Sequence, residues 1–259
     1  MPGREDLALL TRAARAAGDI AKRHFGAAPR IWDKGAGQGP VTEADLEIDT
    51  MLREVLMAAR PGYGWLSEES AQDPARLTHE RMFIIDPIDG TRAFIDRQKG
   101  FSHALAVVEN GVPLAAVVYL PMLDLCYTAA LGHGTHLNDR AVQVSARAGV
   151  LGAQVLAARP QLQPDHWPGG VPQVERHFRP SLAWRMALVA EGAFDAMLTL
   201  RPTWHWDIAA GALLIAEAGG IVTTGQGRTL HFATPHPASD GVIAANPALH
   251  ADLLARRTG

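Results

Sequence analysis

The stretch that most constrains the fold is IIDPIDGT, residues 84–91. It predicts a buried strand over residues 82–85 that runs directly into a corner carrying acids. Asp86 and Asp89 are three residues apart around Pro87, whose ring fixes φ, so their carboxylates can converge on one point. Two converging carboxylates repel each other unless a cation lies between them. The stretch therefore indicates either a cation site or a structural turn that uses Asp and Gly for geometry.

The residues around this corner favour Mg²⁺ or Mn²⁺ beside a phosphate. Carboxylates and a backbone carbonyl are ligands suited to these ions. Gly90 permits close approach of the backbone to a ligand. Thr91 begins a short predicted helix, whose N-terminal amides would face the same corner and bind an anion. The corner alone leaves this hypothesis and the structural turn equally open.

Three other stretches place acids where a strand meets a loop or where a helix begins. They are VTEAD (41–45) with Thr42 and Asp45, SEES (67–70) with Glu68 and Glu69, and WHWDIAAGALLIAEAGG (204–220) with Asp207. Asp207 taken alone is better explained as a helix N-cap than as a metal ligand.

Composition and charge limit the possible partners and locations. The chain has 259 residues, 47% of them hydrophobic and 20% charged, which predicts a globular protein of one large or two modest domains. The formal net charge of −3 does not favour nucleic acid or an anionic membrane surface. The single cysteine, Cys126, rules out an internal disulfide and fits a reducing compartment. The first residues do not resemble a signal peptide, and no window is apolar enough to span a membrane, so we expect a cytoplasmic protein.

Periodicity divides the chain into two halves, 1–146 and 147–259. The first half predicts helices over 5–25 and 43–59, a loop over 31–40, and strands over 82–85, 103–109, 113–120 and 125–131. Asn110-Gly111 predicts a hairpin, so this α+β half should carry an antiparallel sheet. The second half alternates between strands (153–158, 195–200, 220–224, 241–245) and helices (181–192, 207–218, 247–257), which is typical of an α/β half.

DPIDGT and WDIAAGALLIAEAGG, in this order and at this separation, resemble the paired motifs of the inositol monophosphatase superfamily. The members are Mg²⁺-dependent, lithium-inhibited phosphatases of small molecules, and the resemblance runs from VTEAD to VIAANPAL. It implies an α/β fold of the layered αβαβα sandwich type, with the site between an α+β half and an α/β half. It also implies two or three Mg²⁺ ions, with Mn²⁺ as a possible substitute, a small-molecule phosphate monoester as substrate, and a homodimer.

The resemblance implies a role for each matching residue. The implied metal ligands are Glu68, Asp86, Asp89 and Asp207, with Ile88 acting through its carbonyl. The implied catalytic residues are Asp45, Glu68 and Thr91, in an in-line attack of water on phosphorus. The implied phosphate or substrate contacts are Asp89, Gly90, Thr91 and Arg185. Ser67 stands where the family has the glycine of G-E-E, and Glu69 is expected to support the ligands from behind.

Within the family, two stretches favour the 3′(2′),5′-bisphosphate nucleotidase branch, which acts on 3′-phosphoadenosine 5′-phosphate. RPTWHWD (201–207) resembles the nucleotidase pattern G-P-T-x-x-W-D, and 198–200 lacks the glutamate that inositol monophosphatases carry upstream of this aspartate. Arg185 aligns with a nucleotidase lysine and could bind a second phosphate, although a solvated helix face would also explain it. Arg92 fits both nucleotidases and histidinol-phosphatases.

Three alternatives remain beside the nucleotidase reading. Inositol-1-monophosphatase and histidinol-phosphatase activity both fit the metal motifs. A regulatory or RNA-linked binding role is the non-enzyme alternative, but it predicts the loss of acids that are all present here, and the acidic composition does not favour RNA.

Several other residues could carry chemistry, but structural roles are favoured for them. His133 and His136 form a close pair without further zinc ligands. His103 and His205 are expected to be buried or at the rim of the site, and Cys126 to be a core residue. Trp204 and Trp206 are expected to pack beside Asp207, and GAGQG (35–39) is a candidate flap near the metals.

Overall fold

The computed structural model describes residues 2–27, 29–33, 35 and 39–258. Helices and strands occur along the whole of this length, joined by turns and loops. The helices are α1 (Pro2–His24), α2 (Glu43–Ala59), α3 (Thr91–Ile95), α4 (Leu182–Ala190), α5 (His205–Glu217) and α6 (Pro247–Thr258). The strands are β1 (Ile31–Asp33), β2 (Pro40–Thr42), β3 (Gly64–Ser67), β4 (Arg81–Asp89), β5 (Ser102–Glu109), β6 (Val112–Leu120), β7 (Leu125–Ala130), β8 (Thr135–Leu137), β9 (Arg140–Val142), β10 (Gln154–Leu156), β11 (Glu175–His177), β12 (Ala196–Trp204), β13 (Ile221–Thr223) and β14 (Ala238–Ala245). Among the described helices, none has the length and apolar character that a bilayer crossing requires.

The first half of the chain builds a seven-stranded sheet in the order β3-β4-β5-β6-β7-β8-β9. β3 and β4 are parallel, and every other neighbouring pair is antiparallel. Asn110 and Gly111 both adopt positive φ, at 48° and 81°, as the two central residues of the turn between β5 and β6. The predicted hairpin and antiparallel sheet are therefore confirmed.

The second half builds a five-stranded sheet in the order β11-β10-β12-β14-β13. β10 runs parallel to both of its neighbours, whereas β14 runs antiparallel to β12 and β13. Helices α4 and α5 lie between its strands in sequence, as the predicted alternation requires. The proposed division at residues 146 and 147 falls between β9 and β10, and it stays a prediction.

Three apolar clusters show how the layers stack. The first joins α1 and α2 to one face of the seven-stranded sheet through side chains such as Leu10, Ile48 and Phe83. The second holds α4 and α5 between the two sheets, and the third packs α6 against the outer face of the five-stranded sheet. Most of α5 is buried, because it has a sheet on either side. The order is helices, sheet, helices, sheet, helix, so the predicted αβαβα sandwich is confirmed.

Two local predictions differ from the structure. Strand β4 does not end at Ile85 but continues to Asp89, with a shift in its pairing to β5 between Asp86 and Asp89. The acidic corner is therefore an irregularity within a strand. At such an irregularity side chains do not follow the regular alternation between the two faces of the sheet, so the two carboxylates can point to the same side. The predicted loop over 31–40 is wrong at both ends, because β1 and β2 pair as an antiparallel ribbon. Residues 36–38 of GAGQG lie outside the described residues.

Candidate functional site

A cavity of about 890 Å³ opens where the acidic corner meets the starts of α4 and α5. Its lining includes five acids and three arginines, namely Glu68, Asp86, Asp89, Asp96, Asp207, Arg92, Arg185 and Arg201. Acids and arginines come from both halves of the chain, so the fold brings together residues up to about half the sequence apart.

Three of the acids form a cluster. Glu68, Asp86 and Asp207 each offer a carboxylate oxygen, and these atoms all lie within 4.8 Å of one another. Glu68 directly follows β3, and its amide donates to Ile85 O at 3.2 Å, which fixes its position beside β4. Asp89, which was predicted as a further ligand, lies outside this three-residue group.

Asp207 comes from the other half of the chain, in the first turn of α5. The N-cap position is occupied by Trp204, which makes no side-chain cap hydrogen bond. The N-cap interpretation of Asp207 is therefore wrong, because the helix begins two residues earlier, at His205. The amide of His205 donates to Pro237 O at 2.8 Å, which anchors the helix start that carries Asp207.

The electrostatics of this cluster favour the binding of a cation. Asp86 Oδ1 is buried and has no hydrogen-bond partner among the described residues. Removal from water raises the pKa of Asp86 well above its ordinary value, and the charges of Glu68, Asp89 and Asp207 raise it further. Removal from water likewise raises the pKa of Asp207. An unpartnered buried carboxylate is costly, so a cation among these oxygens would satisfy the cluster.

The residues present fit a hard divalent cation. The donor set consists of carboxylate oxygens, without the thiolate or imidazole ligands that zinc prefers. Oxygen-only sets suit Mg²⁺ and Mn²⁺. Asp86 Oδ1, which is buried without a hydrogen-bond partner among the described residues, is the atom that such an ion would stabilise most.

Asp89 has a different environment, because it is bound to the start of α4. Its Oδ2 accepts hydrogen bonds from Ser181 Oγ and from the amide of Ala183, both at 2.6 Å. Ser181 is also the N-cap of α4, where its Oγ accepts from the amide of Trp184 at 2.9 Å. Removal from water raises the pKa of Asp89, and these hydrogen bonds oppose that rise. Asp89 therefore joins the acidic corner to the second half of the chain.

Thr91 and Asp45, the predicted pair for activating water, are brought together. Thr91 Oγ1 lies 3.3 Å from Asp45 Oδ1 and 3.1 Å from Ile88 O, so its single proton can serve either acceptor. Asp45 Oδ2 accepts from the amide and the hydroxyl of Thr42, at 2.9 and 2.5 Å, in a capping box that begins α2. Gly90, with φ of 100°, makes the left-handed turn that precedes Thr91, a conformation that a side chain would strain.

Arg185 is only 8% exposed, so its interpretation as part of a solvated helix face is wrong. Its Nε donates to Arg179 O at 2.5 Å and one NH2 group donates to Pro180 O at 3.3 Å. The guanidinium carbon lies 4.3 Å from the ring centre of Phe178. Burial lowers the pKa of Arg185 to about 10, which leaves it charged at neutral pH. A rigid positive charge thus faces the cavity.

The sequence interpretation missed Phe178 and gave no weight to Arg201. Both line the cavity, and Phe178 is 48% exposed although it is a large apolar side chain. Arg201 is the first residue of the RPTWHWD stretch, so this motif could have identified it from the sequence. Phe178 lies in an irregular segment before α4, and no motif marks it.

The remaining candidates have structural positions. His103 and His205 are buried, and burial lowers the pKa of each to about 4, so both are neutral. His103 Nδ1 lies 2.5 Å from Pro87 O and supports the acidic corner from behind. Cys126 is buried in the cluster with α1, as predicted.

The tryptophan pair follows expectation. Trp204 and Trp206 stack with ring centres 5.0 Å apart and line the cavity beside Asp207. Within the described part of the chain, His133 and His136 belong to no group of three metal-binding side chains.

Comparisons with known proteins agree with this geometry. The model of the inositol monophosphatase family matches residues 4–258. An inositol-1-monophosphatase of Rhizobium meliloti is 35% identical over 232 residues, covering 85% of this chain and 86% of that protein. The 3′(2′),5′-bisphosphate nucleotidase CysQ of Salmonella typhimurium is 34% identical over 233 residues, covering 85% and 90%. The structure of a Thermotoga maritima IMPase superposes with a TM-score of 0.83 at 27% identity, covering 98% of this chain and 96% of that one. The chain therefore belongs to the inositol monophosphatase family of phosphatases.

Proposed function

We propose that this phosphatase is a Mg²⁺-dependent 3′(2′),5′-bisphosphate nucleotidase that hydrolyses 3′-phosphoadenosine 5′-phosphate. The observation that carries the proposal is the buried guanidinium of Arg185 in the same cavity as the acid cluster. Among the described residues it has no carboxylate within ion-pair distance, and it is held by two backbone carbonyls and an aromatic ring. Asp89 and Asp207 favour its charge, but from beyond ion-pair distance, so a buried charge of this kind would be stabilised by a nearer counter-ion. A substrate with a second phosphate supplies one, whereas inositol 1-phosphate does not.

The acids and the corner would act on the phosphate that is removed. Glu68, Asp86 and Asp207 would hold the metal, with Asp89 and the carbonyl of Ile88 proposed as further ligands. When bound, Mg²⁺ polarises the phosphoryl group and lowers the pKa of water. The number of ions, two or three, and the choice of Mg²⁺ over Mn²⁺ rest on the resemblance.

Thr91 and Asp45 would handle the proton of the attacking water. The Thr91 hydroxyl can donate to Asp45 Oδ1 and still accept a hydrogen bond from water with a lone pair. Asp45 stays in place because Thr42 donates twice to its other oxygen. The pair thus orients water towards phosphorus and offers a carboxylate that can accept its proton. The Gly90 turn would let backbone amides approach the phosphate oxygens.

The second phosphate would bind to arginines of the cavity. Arg185 and Arg201 line it, and Phe178 and Trp204 add aromatic surface to the same lining. Residues 198–200 include Leu198 and Thr199, which line the cavity without an acid that could bind inositol hydroxyls. These features favour a nucleoside bisphosphate over inositol 1-phosphate.

A panel of substrates tests the proposal. Phosphate release would be measured with Mg²⁺ for 3′-phosphoadenosine 5′-phosphate, adenosine 3′-phosphate, inositol 1-phosphate, histidinol phosphate and fructose 1,6-bisphosphate. We expect kcat/KM for the bisphosphate to exceed that for adenosine 3′-phosphate by about tenfold or more, because a hydrogen bond to a charged group is worth about 1.5–3 kcal/mol. EDTA should abolish release, and lithium should inhibit it.

Other outcomes would separate the parts of the proposal. A preference for inositol 1-phosphate or histidinol phosphate would keep the metal site and overturn the nucleotide assignment. No release from any substrate, with metal present, would overturn the enzymatic function itself.

A further inference from the structure

The two glutamates of the SEES stretch lie between two serines that bind the same buried carboxylate. Ser67 Oγ donates to Asp49 Oδ1 at 2.5 Å, and Ser70 Oγ donates to Asp49 Oδ2 at 2.7 Å. Asp49 belongs to α2 and is 8% exposed. The segment that presents Glu68 and Glu69 is therefore attached to α2 at both of its ends.

The direction of these hydrogen bonds is fixed by the groups around them. Trp65 Nε1 donates to Ser70 Oγ at 3.0 Å, and the amide of Glu69 lies 3.4 Å from Ser67 Oγ. Indole and amide N–H groups can only donate, so each serine oxygen is the acceptor in that contact. The single hydroxyl proton of each serine is therefore free to be donated to Asp49. Both oxygens of Asp49 are used, so the carboxylate is satisfied only when the segment keeps this conformation.

Asp49 and Asp45 lie one turn apart on the same face of α2. Asp45 contacts Thr91 at the end of the acidic corner, and Asp49 holds the segment that carries Glu68. The helix therefore helps to set the distance between Thr91, the first residue of α3 after β4, and Glu68, which directly follows β3.

We propose that Asp49 is a positioning residue that acts through Ser67 and Ser70 to fix the backbone from which Glu68 reaches the metal. The inference rests on the proposed metal site. The clamp formed by these three residues depends on the serine at position 67, because the glycine that the family motif carries there has no hydroxyl.

Loss of the clamp should appear first in metal affinity. Groups that hydrogen-bond behind metal ligands typically contribute about 10-fold to 100-fold to affinity. Asp49→Asn keeps the shape of the side chain but leaves only one oxygen that can accept a hydrogen bond. The hydroxyl of one serine then faces the NH2 group of the amide, which cannot accept. We expect it to weaken Mn²⁺ binding about tenfold or more. KM for substrate at saturating metal should stay unchanged, because Asp49 does not line the cavity.

The experiment titrates Mn²⁺ into the metal-free full chain, with free ion measured by electron paramagnetic resonance. The series contains Asp49→Asn, Ser67→Ala, Ser70→Ala and the triple variant. If the three residues act as one clamp, the triple variant should lose no more affinity than Asp49→Asn alone, because coupled residues are not additive. Turnover at saturating Mg²⁺ supplies the comparison of KM with kcat.

Asp6→Asn is the matched control. Asp6 is a buried aspartate, 1% exposed, whose oxygens accept from Arg60 Nε at 2.9 Å and Tyr63 Oη at 3.0 Å, and it does not line the cavity. It should lower the unfolding temperature while leaving Mn²⁺ affinity unchanged.

Each outcome decides between the proposals. If the wild-type chain binds no Mn²⁺, the proposed function fails along with the inference. If the wild-type chain binds Mn²⁺ and Asp49→Asn binds it equally well, only the inference is overturned. An equal loss of affinity in Asp6→Asn would also overturn it, because general destabilisation would then explain the effect. Should Asp49→Asn fail to fold, unchanged affinity in Ser67→Ala, which does not line the cavity, overturns the inference and a loss supports it.

Discussion

The cavity is lined by acids and by arginines, and these two sets of residues are built in different ways. The acidic wall (Glu68, Asp86 and Asp89) comes from the seven-stranded sheet, and the basic wall (Arg185 and Arg201) comes from α4 and β12. Burial acts on both, because it raises the pKa of Asp86 and Asp89 and lowers that of Arg185. Each wall therefore holds charge at an energetic cost.

The two walls attract each other, but from beyond ion-pair distance. Neither arginine of the basic wall has a carboxylate within 4.0 Å among the described residues. Asp89 Oδ2 accepts from the start of α4, and Asp86 Oδ1 has no partner in the part of the chain described. Charge that the protein does not pair internally is available to ligands. The comparison supports the proposal that the acids bind a cation and the arginines bind an additional anion.

The largest effect is expected from Asp86→Asn, which removes the buried carboxylate whose Oδ1 has no hydrogen-bond partner among the described residues. Turnover should fall about a thousandfold or more, because the charge stabilisation that a metal supplies is worth several kcal/mol. In EDTA the variant should unfold at a higher temperature than the wild type, since a neutral amide ends the repulsion from neighbouring acids. Phosphate release and thermal unfolding measure the two effects.

The control for this change is Asp195→Asn. Asp195 accepts from Ser145 Oγ at 2.7 Å and from the amide of Gln154 at 2.8 Å, and it does not line the cavity. It should lower stability and leave turnover intact. Near-normal turnover in Asp86→Asn would remove the basis for treating the acidic wall as a metal site.

The next effect concerns the basic wall, through Arg185→Gln. The kcat/KM for 3′-phosphoadenosine 5′-phosphate should fall about 10-fold to 100-fold, since a charge-assisted hydrogen bond contributes about 1.5–3 kcal/mol. The value for adenosine 3′-phosphate should change little, because that substrate lacks the second phosphate. Steady-state kinetics with both substrates make the measurement.

Arg140→Gln is the matched arginine change for Arg185→Gln. Arg140 is exposed on β9 and does not line the cavity, so neither substrate should be affected. An equal loss for both substrates in Arg185→Gln would show that the basic wall does not discriminate by the second phosphate.

The two walls also differ in how far the sequence predicts them. The acidic corner is local in sequence, so the spacing of Asp86 and Asp89 and the helix start at Thr91 predict its geometry. The layered fold follows from the resemblance and from periodicity. The roles of the individual residues, the homodimer and the cytoplasmic location remain predictions.

The burial of the basic wall could not be predicted, because burial is a tertiary property. The resemblance implied Arg185 as a substrate contact, but no motif marks the carbonyls before α4 and the ring of Phe178 that bury it. Asp49 is an intermediate case. It follows Asp45 by four residues on the buried face of α2, so a signal existed, but its serine partners lie beyond the helix.

A smaller effect is expected at the junction of the walls, in Ser181→Ala. Ser181 Oγ donates to Asp89 Oδ2 and caps α4, so its loss removes support from both sides. Loss of an N-cap costs about 1 kcal/mol, which lowers the unfolding temperature by about 2–4 °C in a chain of this size. The kcat should also fall, because Asp89 loses one of its hydrogen bonds. Calorimetry and steady-state kinetics report the two changes.

Ser145→Ala separates a local effect from a general one. Ser145 Oγ also donates to a carboxylate, that of Asp195 at 2.7 Å, but away from the cavity. It should lower the unfolding temperature without changing kcat. If Ser181→Ala behaves in the same way, the junction supports the fold and not the reaction.

The smallest effect is expected in the layer behind the basic wall, where α6 packs on the sheet that contains β12. His250 on α6 is buried, its Nε2 lies 2.9 Å from Thr223 Oγ1, and burial lowers its pKa. Because the folded-state pKa is the lower one, the unfolded chain binds more protons below about pH 6.5, the ordinary histidine value. The contribution of His250 to stability is therefore complete above that pH and is lost as the pH falls towards the folded-state pKa.

His250→Gln should remove this dependence. Glutamine can still hydrogen-bond to Thr223 but does not titrate, so the free energy of unfolding should fall less between pH 7 and pH 5 than it does in the wild type. Chemical denaturation at both values measures the difference. The acids of the acidic wall are unchanged in this variant. If both proteins show the same pH dependence of the free energy of unfolding, groups other than His250 cause the acid sensitivity.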